Sequence, residues 1–538
     1  MEEQSSKNYN YVYQPLIYSF ILLSGILIGT FLIPAKYKNG ESSDKIGSII
    51  SLIKENYVDT VNSDQMLVNS INGMLQNLDP HSVYISAEDL IATNDQLDGD
   101  FEGIGIQFNT QSDTVVVVNT VPKGPSEKIG IIAGDRIVTV DGKNIAGVKI
   151  SNNDVMKSLK GKKGTKVNVG IKRSGIKELK QFIIQRDVIP TNSVDISYMA
   201  DKTTGYIKIT QFTSTTADEF DVASKKLLSE GMKEMIIDLR GNPGGLLDAA
   251  VQIVDEFLPK GKMIVYTKGR KFKNQEYKST SEGRLEDVKI AVLIDEWAAS
   301  ASEIVAGAIQ DNDRGVIIGR RSFGKGLVQN QFQLKDGSAL RLTVARYYTP
   351  SGRCIQKPYQ GSIEDYYEDL LTRIEHGELE HPDSIHFTDS LKFKTTTGRI
   401  VYGGGGIMPD VFIPLGKNEN NSWFNALFNM GLINQFAFKY VDDNRKRLKS
   451  LYTESSFVSK FVIDDDMFKD LIAFAEKSGL KSDNSKIAFT KEKTKAWLKS
   501  FIGRNIFGDQ AFYPVWLRED ETFKKALELV KKQPFTSK

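Results

Sequence analysis

The stretch "GRRSFGKGLVQNQFQL", residues 319–334, decides how the surrounding domain is interpreted. The spacing of Gly319, Gly324 and Lys325 resembles that of a phosphate-binding loop, in which a glycine and four further residues precede a Gly-Lys pair. Such a loop requires a serine or threonine after the lysine to ligate magnesium and a helix that begins there, but position 326 is glycine. The residues that follow alternate with a period of two, which predicts a strand. The stretch therefore predicts a tight turn into a strand, with Lys325 and Gln329 on the same face.

Strands and helices alternate on both sides of this stretch, from residue 189 to residue 416. The sequences "EMIIDLRG" and "KIAVLIDE" are typical of buried strands, and a turn and an amphipathic helix follow each of them. This alternation predicts an α/β layered domain. Residues 361–397 are polar and acidic and are predicted to be an insertion into it.

Ser300 lies in "WAASASEIVAGAIQD", where a helix begins after a buried strand. One interpretation is a capping box, in which Ser300 caps the helix and Glu303 bonds back to it. The same position would expose a hydroxyl at a helix start and leave the Ala301 amide free to stabilise an oxyanion. The glycine turn "DLRGNPGG", residues 238–245, could present further backbone N–H groups. The pattern alone leaves both interpretations open.

A serine nucleophile needs a base, and histidine is the usual one. His81 lies in the helical N-terminal region, and the other three histidines lie in the polar insertion, so none follows a core strand. A Ser-His-Asp triad is therefore disfavoured, and so is a metal site in a segment typical of a solvated loop. Lysine can serve instead if an apolar pocket keeps it neutral. Lys325 lies in such a stretch, and Gln329 could orient its amine without adding charge.

These motifs closely resemble the carboxyl-terminal processing peptidases, also called tail-specific proteases. The resemblance covers roughly residues 44–415, through the following stretches: "NYVD", "GMLQNLDPHSVYI", "FEGIGI", "IIAGDRIVTVDG", "DLRGNPGG", "SASEIVAGAIQDNDRGVIIGRRSFGKGLVQ", "DGSALRLTVARYYTPSGR" and "GGGGIMPDV". It implies an α/β protease core of crotonase- and ClpP-like layers with an inserted all-β PDZ domain. It also implies a serine endopeptidase that cleaves proteins near their C-termini without a cofactor or metal.

The resemblance also implies roles for individual residues. Ser300 corresponds to the nucleophile, Lys325 to the base and Gln329 to the residue that assists it. The oxyanion hole corresponds to the backbone of Ala301 and of a glycine in the "NPGG" turn, Gly245 being preferred to Gly244.

A β module at residues 91–188 resembles a PDZ domain. Four of its residues match the loop and strand that receive a peptide's terminal carboxylate: Gly103, Ile104, Gly105 and Ile106. In such a module, free N–H groups bind the carboxylate while the peptide pairs as an added strand. The resemblance therefore implies that substrate tails are recruited here.

The chain termini are less informative. Residues 15–34 carry no charge and are long enough to cross a bilayer, which predicts an uncleaved transmembrane anchor after a cytoplasmic tail at 1–14. A cleaved signal peptide is the alternative, but no clear cleavage site follows. Helical regions are predicted at 41–90 and at 417–538, the latter without an assigned role. The family resemblance implies a bacterial inner-membrane protein with its catalytic body on the periplasmic side.

Composition limits the partners. The 538 residues carry a net charge of +2, so no overall attraction to nucleic acid is expected. The single cysteine, Cys354, excludes an internal disulfide. The expected partners are peptide tails and the membrane, and a homo-oligomer is compatible with the sequence. Two other functional classes stay open: an inactive PDZ scaffold and a crotonase-like acyl-CoA enzyme, which the PDZ module and the Ser–Lys spacing disfavour.

Overall fold

The computed structural model describes residues 10–32, 43–111, 113–280, 283–359, 363–385, 389–416 and 421–532. The chain divides into two units, residues 1–78 and residues 79–538. The described part of the first unit is helical and consists of α1 (Asn10–Leu32), α2 (Ser43–Asn56) and α3 (Ser63–Gln76). The Asn62 side chain caps α3 by accepting hydrogen bonds from the next turn's amides.

Helix α1 covers most of the segment predicted as a transmembrane anchor, residues 15–34. Across the ranges that the structure describes, no helix combines the length and the hydropathy that a membrane span requires. The predicted anchor is therefore not supported. Residues 1–9 of the predicted cytoplasmic tail and residues 33 and 34 of the predicted anchor lie outside the described ranges.

The second unit opens with a turn at Asp79–Ser82, strand β1 (Val83–Ile85) and helix α4 (Ala87–Asp98). The β module follows: β2 (Asp100–Gly103), β3 (Ile106–Gln111), β4 (Thr114–Thr120), α5 (Pro125–Lys128), β5 (Arg136–Val140), β6 (Lys143–Asn144), α6 (Asn152–Leu159), β7 (Lys166–Lys172), β8 (Lys180–Gln185) and β9 (Asp187–Pro190). Its main sheet has the order β3-β4-β5-β7-β8, and β2 pairs separately with β9. Strand β3 therefore lies at a sheet edge.

The α/β body comprises β10 (Val194–Met199), β11 (Thr204–Ile209), α7 (Thr216–Ser229), β12 (Glu234–Asp238), α8 (Leu247–Asp255), β13 (Met263–Lys268), β14 (Gln275–Lys278), β15 (Lys289–Ile294), α9 (Ala301–Asp311), β16 (Val316–Gly319), β17 (Leu327–Gln333), β18 (Ala339–Tyr348), α10 (Ile363–Glu375), β19 (Lys392–Lys394), β20 (Ile400–Tyr402) and β21 (Val411–Phe412). The strand predicted after the glycine turn is present as β17. Helix α10 and strand β19 lie in the predicted insertion.

The central sheet of the body has the order β10-β11-β12-β15-β16-β21. All of its pairings except β10 with β11 are parallel. The middle strands β12 and β15 are buried, except at Lys289 where β15 begins, because helices cover both faces. Parallel strands all end at one edge, so the turns after β12, β15 and β16 come together there. A second sheet has the order β1-β18-β13-β14, with β17 paired to β18.

The C-terminal region is helical, as predicted: α11 (Ser422–Asn429), α12 (Leu432–Leu451), α13 (Glu454–Lys460), α14 (Asp465–Lys477), α15 (Asn484–Phe507), α16 (Asp509–Trp516) and α17 (Glu521–Val530). The first five helices share an aromatic-rich core, which Ala511 of α16 joins. Helices α16 and α17 also pack on the central sheet, where Phe523 and Val530 belong to the same cluster as Ile236 and Leu293. This region is therefore a structural layer of the α/β body.

Candidate active site

Ser300 occupies the turn between β15 and α9 in a strained backbone conformation, with φ 56° and ψ −114°. A non-glycine residue adopts this conformation only when its surroundings impose it, which is typical of functional turns. Half of the predicted capping box is present, since the Ser300 N–H donates to Glu303 Oε2 at 2.8 Å. In the other direction, the Glu303 N–H donates to the Ser300 carbonyl oxygen at 2.8 Å. The turn thus presents its serine at the start of α9.

Glu303 connects the serine turn to the lysine turn. Its carboxylate is fully buried and accepts hydrogen bonds from the Ser322 hydroxyl at 2.5 Å and from the Gly324 and Lys325 N–H groups, each at 2.8 Å. Burial raises the pKa of Glu303, whereas these hydrogen bonds lower it. Burial has the larger effect, and the pKa of Glu303 is about 7. The sequence pattern identified Glu303 only as a helix cap, because these additional partners lie about twenty residues away in the chain.

Lys325 and Gln329 meet as their shared strand face predicted. Lys325 Nζ donates to Gln329 Oε1 at 3.4 Å, and Gln329 Nε2 donates to the carbonyl oxygen of His81. Burial lowers the pKa of Lys325, and the positive charge of Arg341 lowers it further. Lys325 forms no salt bridge with any carboxylate in the described ranges. The amine is therefore in surroundings that favour its neutral form.

The glycine turn supplies a candidate oxyanion hole. The Gly244 N–H is engaged, because it donates to Asn242 Oδ1 at 2.8 Å. The Gly245 and Ala301 N–H groups donate to no other residue that the structure describes. Gly245 has φ 142°, and a Cβ there would lie 1.9 Å from the Phe212 carbonyl oxygen, so only glycine fits. The geometry thus favours Gly245 over Gly244 as the second donor.

All five predicted residues of the catalytic site line one cavity of about 440 Å³. Its wall contains Ser300, Lys325, Gln329, Gly245 and Ala301. The elements behind them are the turns after β12, β15 and β16, together with β17. Strand topology therefore brings together residues that are up to 84 positions apart in the chain. A nucleophile, a desolvated amine and two free N–H groups in one cavity are the components of acyl transfer.

The four predicted PDZ residues line a second cavity, of about 320 Å³, between strand β3 and helix α6. Apolar side chains, among them Phe108, Met156 and Leu159, form one part of its wall, and polar residues of α4 and of the α/β body line the rest. Gly105 has φ 72°, which turns the backbone just before the edge strand β3. Gly103, Ile104, Gly105 and Ile106 thus lie at an apolar groove beside an unpaired strand edge, the arrangement that strand addition requires.

Among the described residues, no histidine lines the cavity that holds Ser300 and Lys325. Burial, together with the positive charge of the nearby Lys325, lowers the pKa of His81 to about 3, so its ring is neutral near pH 7. His81 contributes its backbone carbonyl to the site instead, a contact that its side-chain type could not indicate. His386 lies outside the described ranges; within them, no group of three or more metal-ligating side chains forms a candidate metal site.

Comparison with known proteins agrees with these observations. The model of peptidase family S41 matches residues 203–367 and the PDZ domain model matches residues 103–181. The N-terminal domain model of the activating protease CtpB matches residues 33–89, and a family of unknown function matches residues 423–508.

Curated relatives match at higher coverage. A carboxy-terminal-processing protease of Bartonella bacilliformis is 42% identical over 318 residues, which span 58% of this chain and 72% of that protein. The carboxy-terminal processing protease CtpA of Bacillus subtilis is 36% identical over 315 residues, or 58% of this chain and 66% of that one. The protein belongs to the family of carboxy-terminal processing proteases and is a serine-type peptidase with a PDZ domain.

Proposed function

We propose that this peptidase is an endopeptidase that cleaves proteins near their C-termini by a Ser300–Lys325 mechanism assisted by Gln329. The observation that carries the proposal is the shared cavity, in which Ser300 and a buried Lys325 amine that forms no ion pair with a described carboxylate meet two unpaired backbone N–H groups. Neutral lysine is a competent base only where burial depresses its pKa, and this site supplies that burial.

In the first step, the Ser300 oxygen attacks the peptide carbonyl carbon while the neutral Lys325 amine accepts the hydroxyl proton. The carbonyl oxygen becomes an oxyanion, which the Gly245 and Ala301 N–H groups stabilise. Lys325 then returns the proton to the departing amine, and the new C-terminal fragment leaves. Water hydrolyses the acyl-enzyme by the same sequence, with Lys325 accepting the proton of water.

The PDZ groove supplies a place for the tail of the substrate. The apolar cavity suits a last apolar side chain, and the N–H groups around Gly105 suit the terminal carboxylate. A tail held there would raise the local concentration of the same chain at the catalytic cavity. The relatives are named for carboxy-terminal processing, which agrees with this role.

Anchoring in the inner membrane, a periplasmic location for the catalytic body and self-association stay predictions from the sequence and the family resemblance. Protease shaving of intact spheroplasts would test the location, since an externally added protease reaches only an extracytoplasmic body. Retention in the soluble fraction after lysis would contradict the anchor.

The decisive experiment compares the full chain with Ser300→Ala. A nucleophile's loss removes hydrolysis by several orders of magnitude, whereas a helix cap's loss costs only about 1 kcal/mol of stability. We expect a folded, inactive Ser300→Ala protein that retains substrates, which mass spectrometry identifies by comparison with the products of the active enzyme. A folded Ser300→Ala protein that cleaves at the normal rate would contradict the proposal and would favour an inactive scaffold with a contaminating protease.

A further inference from the structure

A hydrogen bond from Nε2 to the His81 carbonyl oxygen fixes the orientation of the Gln329 side-chain amide. A side-chain amide has one end that donates and one end that accepts. Because Nε2 donates to the His81 carbonyl oxygen, Oε1 must face Lys325 Nζ, as observed. A reversed amide would donate to the lone pair that a neutral Lys325 amine needs for the Ser300 proton, and it would leave the His81 carbonyl without its donor. The His81 carbonyl therefore determines whether Gln329 can accept from the amine.

The turn at Asp79–Ser82 fixes that carbonyl. Asp79 Oδ1 accepts from the His81 N–H at 2.8 Å and from the Ser82 N–H at 2.9 Å, and Oδ2 accepts from the Ser82 hydroxyl at 2.6 Å. The Thr343 hydroxyl of β18 donates to Asp79 Oδ1 at 3.0 Å. Asp79 is itself buried, so water competes poorly for these bonds.

Helix α10 holds the same turn from the other side. The Tyr366 hydroxyl and His81 Nε2 are 2.9 Å apart, and the two rings meet edge to face at 5.3 Å. The Tyr367 hydroxyl donates to the Pro80 carbonyl oxygen at 3.0 Å. Both tyrosines reach the turn from consecutive positions, one with a buried ring and one with an exposed ring.

Hydrogen bonds connect helix α10 to the loop that follows β18. Lys357 Nζ donates to the Tyr366 carbonyl oxygen and to Asp369 Oδ2, each at 2.9 Å, and lies over the Phe323 and Tyr366 rings. The neighbouring Gln356 accepts the Gly326 N–H at 2.8 Å, directly after the catalytic lysine. The insertion helix is thus joined both to the lysine turn and to the partner of Gln329.

We propose that helix α10 and the Asp79–Ser82 turn position the Gln329 amide, so that its oxygen orients the Lys325 amine toward Ser300. Tyr366, Tyr367 and Asp79 are positioning residues, because none of them hydrogen-bonds Ser300 or Lys325 and their contacts with the turn at His81 reach the amine through Gln329. The inference rests on the proposed Ser300–Lys325 mechanism. It gives a role to a helix in the predicted insertion.

The test is a double-mutant cycle between Tyr366→Phe and Gln329→Ala in the full chain, measured with one peptide substrate. We expect Tyr366→Phe, which loses the hydroxyl contacts with His81 Nε2 at 2.9 Å and Gln356 Nε2 at 3.4 Å, to reduce kcat about fivefold with KM unchanged. In the Gln329→Ala background the same change should have no further effect, because its route of action is already removed. Tyr440→Phe, which removes a hydroxyl from α12 in the C-terminal region, is the matched control and should leave kcat unchanged.

An equal loss in both backgrounds would overturn the inference, since that result indicates a general structural effect. An unchanged kcat in Tyr366→Phe would also overturn it. If Tyr366→Phe does not fold, Tyr367→Phe replaces it, because that ring is 55% exposed and its hydroxyl contacts the same turn. Activity that survives Ser300→Ala would instead refute the mechanism itself, so the two failures are distinguishable.

Discussion

The catalytic cavity and the PDZ groove both combine glycine backbone with N–H groups, yet they are built in opposite ways. The catalytic cavity collects side chains from three strand ends, and its serine is strained beside a buried Glu303. The groove is formed by an edge strand, helix α6, the turn at Gly105 and adjoining polar residues of α4 and of the α/β body. Bond making requires atoms fixed from several directions, whereas recognition of an extended peptide requires an open edge and an apolar wall. The two sites should therefore respond differently to the same kind of change.

The largest expected effect is at Lys325. Lys325→Arg keeps the positive charge but cannot release a proton, so we expect about a 1,000-fold loss of kcat, as large as that of Lys325→Ala. The affinity of a tail peptide for the groove should stay the same, as measured by fluorescence anisotropy. Substantial hydrolysis by Lys325→Arg would show that the charge matters and the basicity does not.

The next effect is at Gly245. Gly245→Ala puts a Cβ against the Phe212 carbonyl oxygen and forces the N–H away, which should cost about 100-fold in kcat. Gly241→Ala in the same loop is the matched control, because φ is also positive there but a Cβ meets nothing within 4 Å. Equal losses in the two variants would mean that backbone strain, and not a lost oxyanion donor, explains the result.

A smaller effect is expected at the groove. Matched peptides with a free or an amidated C-terminus differ in the charge that the loop amides bind, so amidation should weaken binding about tenfold. Calorimetry with the folded Ser300→Ala protein measures this without cleavage. Equal affinities would show that the groove does not read free carboxylates and would remove the functional contrast between the sites.

The smallest effect concerns pH. The proposed mechanism requires neutral Lys325, so kcat/KM should rise with pH as the amine loses its proton. Because the positive charge of Arg341 helps to lower the pKa of Lys325, Arg341→Gln should raise that pKa and move the rise to higher pH. The pH profile of kcat/KM checks this. A shift to lower pH would contradict the assigned charge effect.

Sequence patterns predicted the secondary-structure elements that depend on neighbouring residues in the chain. The period-two alternation after Gly326 gave β17, and the cap-like sequence at Ser300 gave the start of α9. Other contacts had no local signature. The His81 carbonyl meets Gln329 across 248 positions, and a backbone oxygen carries no residue type that a sequence could reveal.

The C-terminal region likewise makes long-range contacts that the sequence could not predict. Its helices were predictable from periodicity, but their packing partner was not. An apolar helix face indicates burial without naming the surface that buries it. Only the fold shows that α17 covers β12, β15 and β16 and that Arg240 bonds Asp520 at 2.8 Å.

That packing has a consequence for how the protein is made. The last of the inner strands, β16, ends at Gly319, but the helix that covers this face ends at Val530. A ribosome that adds about 5 to 20 residues per second needs about 10 to 40 s to make the chain between them. During that time, helix α17 has not yet been made, so it cannot shield Ile236, Leu293 and Ile318 from water. Newly made molecules therefore pass through a stage in which this apolar face of the sheet is exposed to water. Chaperones that bind exposed apolar surfaces would bind the chain at this face.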